Sequence, residues 1–180
     1  MLGGARLGDH RMKALVPLDG SELALSVLTN VRRLAELAPG LEVHLLTVLD
    51  PKAVHGRTDT VPGELTTTIP GSKISSVLSP APRVVESHGE ALERVHLEAN
   101  EALQQVADRD LSGVATSCAV VFSSNPAEAI VEQANEWAAD LIIMATHGRS
   151  GITHLLAGSV TEAVIKNAGK PVLVNCPKPD

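Results

Sequence analysis

The sequence predicts an α/β domain: one parallel sheet of five strands with helices on both faces. Three observations carry this. Short aliphatic runs alternate with segments of helical periodicity along most of the chain, the pattern that builds parallel sheets. Several runs are nearly continuous in apolar residues, as strands covered on both faces are. The 180 residues include one Trp, one Phe and no Tyr, so the interior is aliphatic. A chain of this length supports a single core.

Residues 1–11 are Gly-bearing and carry no pattern, which reads as a flexible arm ahead of a domain spanning 12–180. Ala14 to Leu18 is the first strand. Asp19-Gly20-Ser21 is a turn, and Asp19 or Ser21 can cap the helix that follows. From Glu22 to Leu37, Leu25, Leu28, Leu34 and Leu37 recur at helical spacing with Val27 and Val31 on the flank. Pro39-Gly40 stops that helix, and Leu41 to Val48 is the second strand. A Pro-, Ser- and Thr-rich insertion over about 51–86 is expected to be irregular and mobile.

A long helix follows near Ser87 to Asp108, with Leu92, Val95, Ala99, Leu103 and Val106 in its apolar stripe. Ala115 to Phe122 is the third strand. Asn125-Pro126 opens the next helix with Pro at its first position, and Ala129, Ile130, Ala134 and Trp137 form its inner face. Asp140 to Ala145 is the fourth strand. A Gly-rich loop then leads to a helix over Ser159 to Asn167, ended by Gly169, and Pro171 to Asn175 is the fifth strand.

Composition excludes several function classes. A net charge of −6 without a basic stripe argues against a nucleic-acid partner. No apolar stretch reaches the ~20 residues that span a bilayer, and 1–10 shows no leader-like run, so the expectation is a cytoplasmic protein without a membrane partner. Cys118 and Cys176 form no CxxC pair, and each is expected as a buried apolar residue. His147 and His154 flank the Gly-rich loop without a Cys or carboxylate at ligand spacing, so no metal held by protein ligands alone is expected. Ser150 lacks a nucleophile-elbow context, and no catalytic residue is assigned.

Chemistry concentrates after the fourth strand. Ala145-Thr146-His147-Gly148-Arg149-Ser150-Gly151 leaves its carboxyl end, and Gly158-Ser159-Val160-Thr161-Glu162 opens the next helix. Glycines let backbone N–H groups approach an anion, and a helix start adds free N–H groups and partial positive charge. Ser159 and Glu162 have the spacing of a capping box. The segment is neither a Walker A loop nor a dinucleotide fingerprint. Residues alone leave two readings open, a phosphate cradle or a purely structural turn.

The stretch from Met144 to Gly151, followed by Leu155-Leu156-Ala157-Gly158-Ser159-Val160-Thr161-Glu162, resembles the universal stress protein family. Nucleotide-binding members carry Gly-x2-Gly-x9-Gly-Ser/Thr. Here nine residues separate Gly148 from Gly158, Ser159 follows, and Ala145 replaces the first glycine, adding a methyl near a close ligand. Val16 to Ser21, Leu45 to Val48, Pro126 to Ile130 and Lys170 to Val174 match other family elements in order.

The resemblance implies a Rossmann-like fold of the adenine nucleotide α-hydrolase type, strand order 3-2-1-4-5, and an adenine-nucleotide ligand, ATP with Mg2+. By position, Asp19 would meet ribose or base, Pro17 and Leu18 would wall that pocket, and Val48 and Met144 would meet adenine. Ala145 would lie close to the ligand. Gly148, Arg149, Gly158, Ser159, Val160 and Thr161 would surround the phosphates. The family further implies stress-response signalling by binding rather than fast turnover, and a homodimer through Val172, Leu173 and Val174 of the fifth strand. A slow ATPase or nucleotidyl-transfer enzyme, with Thr161-Glu162 near Mg2+, and a ligand-free interaction module are the competing functions.

Overall fold

The computed structural model describes residues 11–60, 82–146 and 158–176. The elements run β1 (Lys13–Pro17), α1 (Glu22–Leu25), α2 (Leu28–Leu37), β2 (Glu42–Leu49), a 3-10 turn (Pro51–Ala53), β3 (Thr58–Thr60), β4 (Pro82–Val84), α3 (His88–Asp110), β5 (Ala115–Phe122), α4 (Pro126–Glu136), β6 (Leu141–Ala145), α5 (Ser159–Asn167) and β7 (Val172–Asn175). The main sheet has the order β5-β2-β1-β6-β7 and is parallel at every pairing. This is the 3-2-1-4-5 order expected of the five strands.

Successive strand residues point to opposite faces, and two aliphatic cores result. Ala14, Val16, Val43, Leu45 and Ile143 face Val27, Leu28 and Val31 around α2, with Leu103 of α3. Leu15, Leu46, Ile142 and Met144 face Ile130 and Ala134 of α4 and Val164 of α5. The strand order reverses between β1 and β6, where crevices open at the carboxyl ends of strands.

Three expectations need correction. The helix over 22–37 is interrupted. The Ser26 hydroxyl donates to the Leu23 carbonyl at 2.6 Å, and local bonds of this kind compete with the helical ladder. Around it the backbone tightens to three-residue bonds, Ser26 N–H on Leu23 O at 3.1 Å and Asn30 N–H on Val27 O at 2.9 Å. The apolar face is thereby rephased: Val27, Leu28 and Val31 are buried, and Leu37 is 83% exposed.

The insertion is not irregular at its ends. Asp50 caps the 3-10 turn. β3 and β4 pair antiparallel, with Thr58 opposite Val84 and Thr60 opposite Pro82. Gly56 lies where a Cβ would come within 2.3 Å of the Glu86 carbonyl, so the two roots of the insertion meet closely there. The intervening residues 61–81, like the arm over 1–10, lie outside the described residues. Lastly, Cys118 is half-buried beside the first core, but Cys176 is exposed.

The long helix starts on a capping box. Ser87 Oγ accepts from Glu90 N–H at 3.2 Å, and the Glu90 carboxylate accepts from Ser87 N–H at 2.7 Å. As expected, Asn125 caps α4 and Pro126 occupies its first turn.

His44, buried on β2, lies 2.7 Å from Ser117 Oγ through Nδ1 and stacks on Trp137 at 5.1 Å between centroids. Burial pushes its pKa below the ordinary 6.5. The unfolded chain therefore takes up a proton near pH 6.5 that the folded chain refuses. Stability attributable to His44 is complete above that pH and falls as pH drops through it toward the folded value. Urea unfolding at pH 7.5 and 5.5 is expected to show this loss, and His44→Gln to reduce it. An equal loss in the variant would place the titration elsewhere.

Candidate functional site

A cleft of about 380 Å³ opens at the carboxyl ends of β1, β2 and β6. Its first wall is the turn after β1. Gly20 has φ +79°, a conformation that favours glycine. Asp19 Oδ1 accepts from the Ser21 N–H at 3.0 Å and the Ser21 hydroxyl at 2.6 Å. Ser21 Oγ in turn accepts from Ala24 N–H at 3.1 Å and caps α1. Ser21 is thus the cap, and Asp19 braces it. Leu18 N–H donates to Leu46 O at 2.8 Å, and the Thr47 hydroxyl donates to Leu18 O at 3.0 Å, so the end of β1 is held against β2.

The opposite wall is the start of α5. Thr146 follows β6, is buried, and accepts the Gly158 N–H on its Oγ1 at 3.0 Å. Gly158 is the N-cap, with no side-chain capping bond. The expected capping box is therefore absent: Ser159 is already the first helical residue, one position past the cap. The amides of Ser159, Val160 and Thr161 belong to the first turn, where a helix offers no internal acceptor. They present partial positive charge at the cleft. Thr161 is buried and its hydroxyl donates to Ala145 O at 3.4 Å, so its side chain fastens α5 to β6. Glu162 receives Lys166 Nζ at 2.6 Å, four residues on.

Ten predicted site residues line this one cleft: Pro17, Leu18, Asp19, Val48, Met144, Ala145, Gly158, Ser159, Val160 and Thr161. Gly148 and Arg149 lie outside the described residues. The cleft also takes in residues the sequence reading did not assign. Leu23 and Ala24 come from α1, and Leu46 adds the strand floor. Pro126 and Ile130 come from α4, and Thr146 ends β6. Thr146 had a legible signal as the polar residue directly after a buried strand. The α4 residues were hidden by their role as helix start and inner face. Leucine and alanine on α1 carried no signal beyond helical periodicity.

An open parallel α/β sheet with a cleft at its switch point, one half apolar and one half lined by helix-start amides, defines a domain of the doubly wound class. The universal stress protein family model matches residues 10–175. Universal stress protein MJ0531 of Methanocaldococcus jannaschii is 34% identical over 170 residues, covering 94% of this chain and 85% of that protein. The solved structure of MJ0577 from the same organism superposes with a TM-score of 0.64 at 28% identity, covering 94% of this chain and 98% of that one. A universal stress protein solved in complex with cAMP shares the fold, with a TM-score of 0.53 at 19% identity over 93% of this chain and 98% of its own. The chain belongs to the universal stress protein family.

Proposed function

We propose that this protein binds an adenine nucleotide, ATP with Mg2+, in the cleft between β1 and β6, and acts by ligand binding in a stress-response or signalling role. The single observation that carries the reading is the two-sided lining of one cleft. Leu46, Val48, Ile130 and Met144 offer an apolar slot for a base. The α5 start offers first-turn amides, which have no acceptor within the helix, for phosphate oxygens. The 380 Å³ volume falls within the range of small-molecule sites. Ala145, at the end of β6, lies at the junction of the two halves.

In this reading the base packs between Val48 and Met144 over Pro17 and Leu18, and Asp19 meets the ribose side. The phosphates lie along Gly158, Ser159, Val160 and Thr161, with Gly148 and Arg149 assigned to the same end by their place in the sequence. Mg2+ would neutralise phosphate charge and be held mainly by phosphate oxygens and water, as this ion commonly is. Among the described residues no group of three or more His, Cys, Asp and Glu stands together. The two side chains an enzymatic role would use are engaged otherwise, Thr161 on Ala145 O and Glu162 on Lys166. We place the protein in the cytoplasm; among the described residues no helix is long and apolar enough to cross a membrane. The proposed homodimer joins at β7, an edge of the sheet, where Leu173 is exposed between Val172 and Val174.

Calorimetric titration with Mg-ATP, ADP and AMP, paired with a phosphate-release assay, tests the reading. Saturable 1:1 binding with release no faster than the buffer blank is the expected outcome. Sustained release would favour an ATPase. No binding by protein shown to be free of co-purified nucleotide would favour the interaction module.

A further inference from the structure

Asn175 is the last residue of β7 and does not itself line the cleft. It nonetheless bonds toward both walls. Its carbonyl accepts from Thr146 N–H at 2.9 Å, and the Thr146 hydroxyl oxygen accepts from Gly158 N–H at 3.0 Å. Its side-chain Nδ2 donates to Ser26 Oγ at 3.1 Å, across 149 positions of sequence. Ser26 is the C-cap of α1 and donates its own proton to Leu23 O at 2.6 Å. One residue thus connects to the start of α5 through its backbone and to the end of α1 through its amide.

The α1 connection matters because α1 is a single turn of four residues. A turn that short is not stable by propensity, since the cost of nucleation exceeds what one or two bonds return. Its only buried residue is Ala24. Yet Ser21, Leu23 and Ala24 form one wall of the cleft. The position of that wall depends on what ties α1 to the sheet, and a side-chain tie at its C-terminus is the bond from Asn175.

We infer that Asn175 is a positioning residue for the nucleotide cleft, holding the α1 wall through Ser26 at a fixed distance from the α5 wall held through Thr146. The inference rests on the reading of this cleft as a nucleotide site. The backbone half of the clamp survives any substitution at 175; only the α1 half is removed. Affinity then falls because the wall must be ordered when ligand arrives.

Two measurements on the full chain test this, with Asn175→Ala, Ser26→Ala and the double variant. The first is hydrogen exchange without ligand. Asn175→Ala is expected to speed exchange of the Leu25, Ser26 and Val27 amides about three- to tenfold, the equivalent of one net hydrogen bond, and to leave Glu162 and Ala168 in α5 unchanged. Unaltered exchange in α1 would overturn the inference. The second is Mg-ATP affinity. Each single variant is expected to bind about three- to tenfold more weakly, and the double variant no more weakly than Ser26→Ala alone, because that variant already lacks the Asn175–Ser26 bond as well as the bond to Leu23 O. Additive losses, or unchanged affinity in all three, would overturn it. If the native chain binds no Mg-ATP, the nucleotide reading fails, and the exchange measurement still decides whether Asn175 holds α1.

Discussion

With Mg-ATP bound as proposed, Gly158→Val is expected to abolish the stabilisation that the nucleotide would give the native chain. At ~100 times its dissociation constant a ligand adds about 2.7 kcal/mol, which raises the melting temperature of a chain of this size by roughly 5–10 °C. Gly158 has φ −61° and ψ 158°, ordinary extended backbone. Among the described residues no atom lies within 4 Å of an added Cβ. The position therefore does not need glycine for its own conformation, and a valine side chain would extend into the cleft at the α5 start. Its N–H remains free to donate to Thr146. The ligand-free variant is expected to lose no more than about 1 kcal/mol, the scale of a poorer N-cap. Thermal unfolding of both proteins with and without Mg-ATP reads all of this. An undiminished shift in the variant would move the phosphates away from α5.

Leu45→Ala is expected to cost about 3–5 kcal/mol, at the upper end of large-to-small core changes. Leu45 is fully buried in the middle of β2, paired with Val16 of β1 and Cys118 of β5. Strands hydrogen-bonded on both sides have little freedom to collapse into a cavity. The buried residues of the surrounding cluster are Ala, Val, Leu and Ile, with Met12 and Cys118 packed at its margin, so no aromatic ring of that cluster is at hand to fill the gap. Leu37→Ala is the matched control: with Leu37 at 83% exposure, the change is expected within about 0.5 kcal/mol. Equilibrium urea unfolding distinguishes the two. A large loss at Leu37 would restore the uninterrupted helix that periodicity suggested.

What was legible in the sequence follows from how local each signal is. Buried strands announce themselves as aliphatic runs, and all five appear within two residues of where the runs lie. Asn125-Pro126 marks a helix start in two adjacent residues. Residues at strand ends were assigned to a site because their places matched a family pattern, and the described ones do converge on one cleft. The break at Ser26 was not legible, since a hydroxyl turning back to Leu23 O leaves the spacing of leucines intact while shifting which of them point inward. β3 and β4 are three residues each, too short for alternation to register. Ser159 looked like a cap because its distance to Glu162 was right; the backbone turns one residue earlier. The bond between Asn175 and Ser26 spans 149 positions, and no window along the chain contains both.

The stack of Trp137 on His44 makes the protein its own spectroscopic probe. With a single indole in the chain, ultraviolet emission comes from one place. Trp137 ends α4, whose first residue, Pro126, borders the cleft. Eleven residues of helical rise, roughly 17 Å, separate them. The fluorophore therefore lies at the end of α4 away from the cleft and reports the far end of the sheet. A protonated imidazole quenches an adjacent indole, so emission intensity follows the charge of His44 in the folded protein, while the emission maximum follows loss of the stack on unfolding. One steady-state pH series on unlabelled protein would separate ionisation at His44 from global melting.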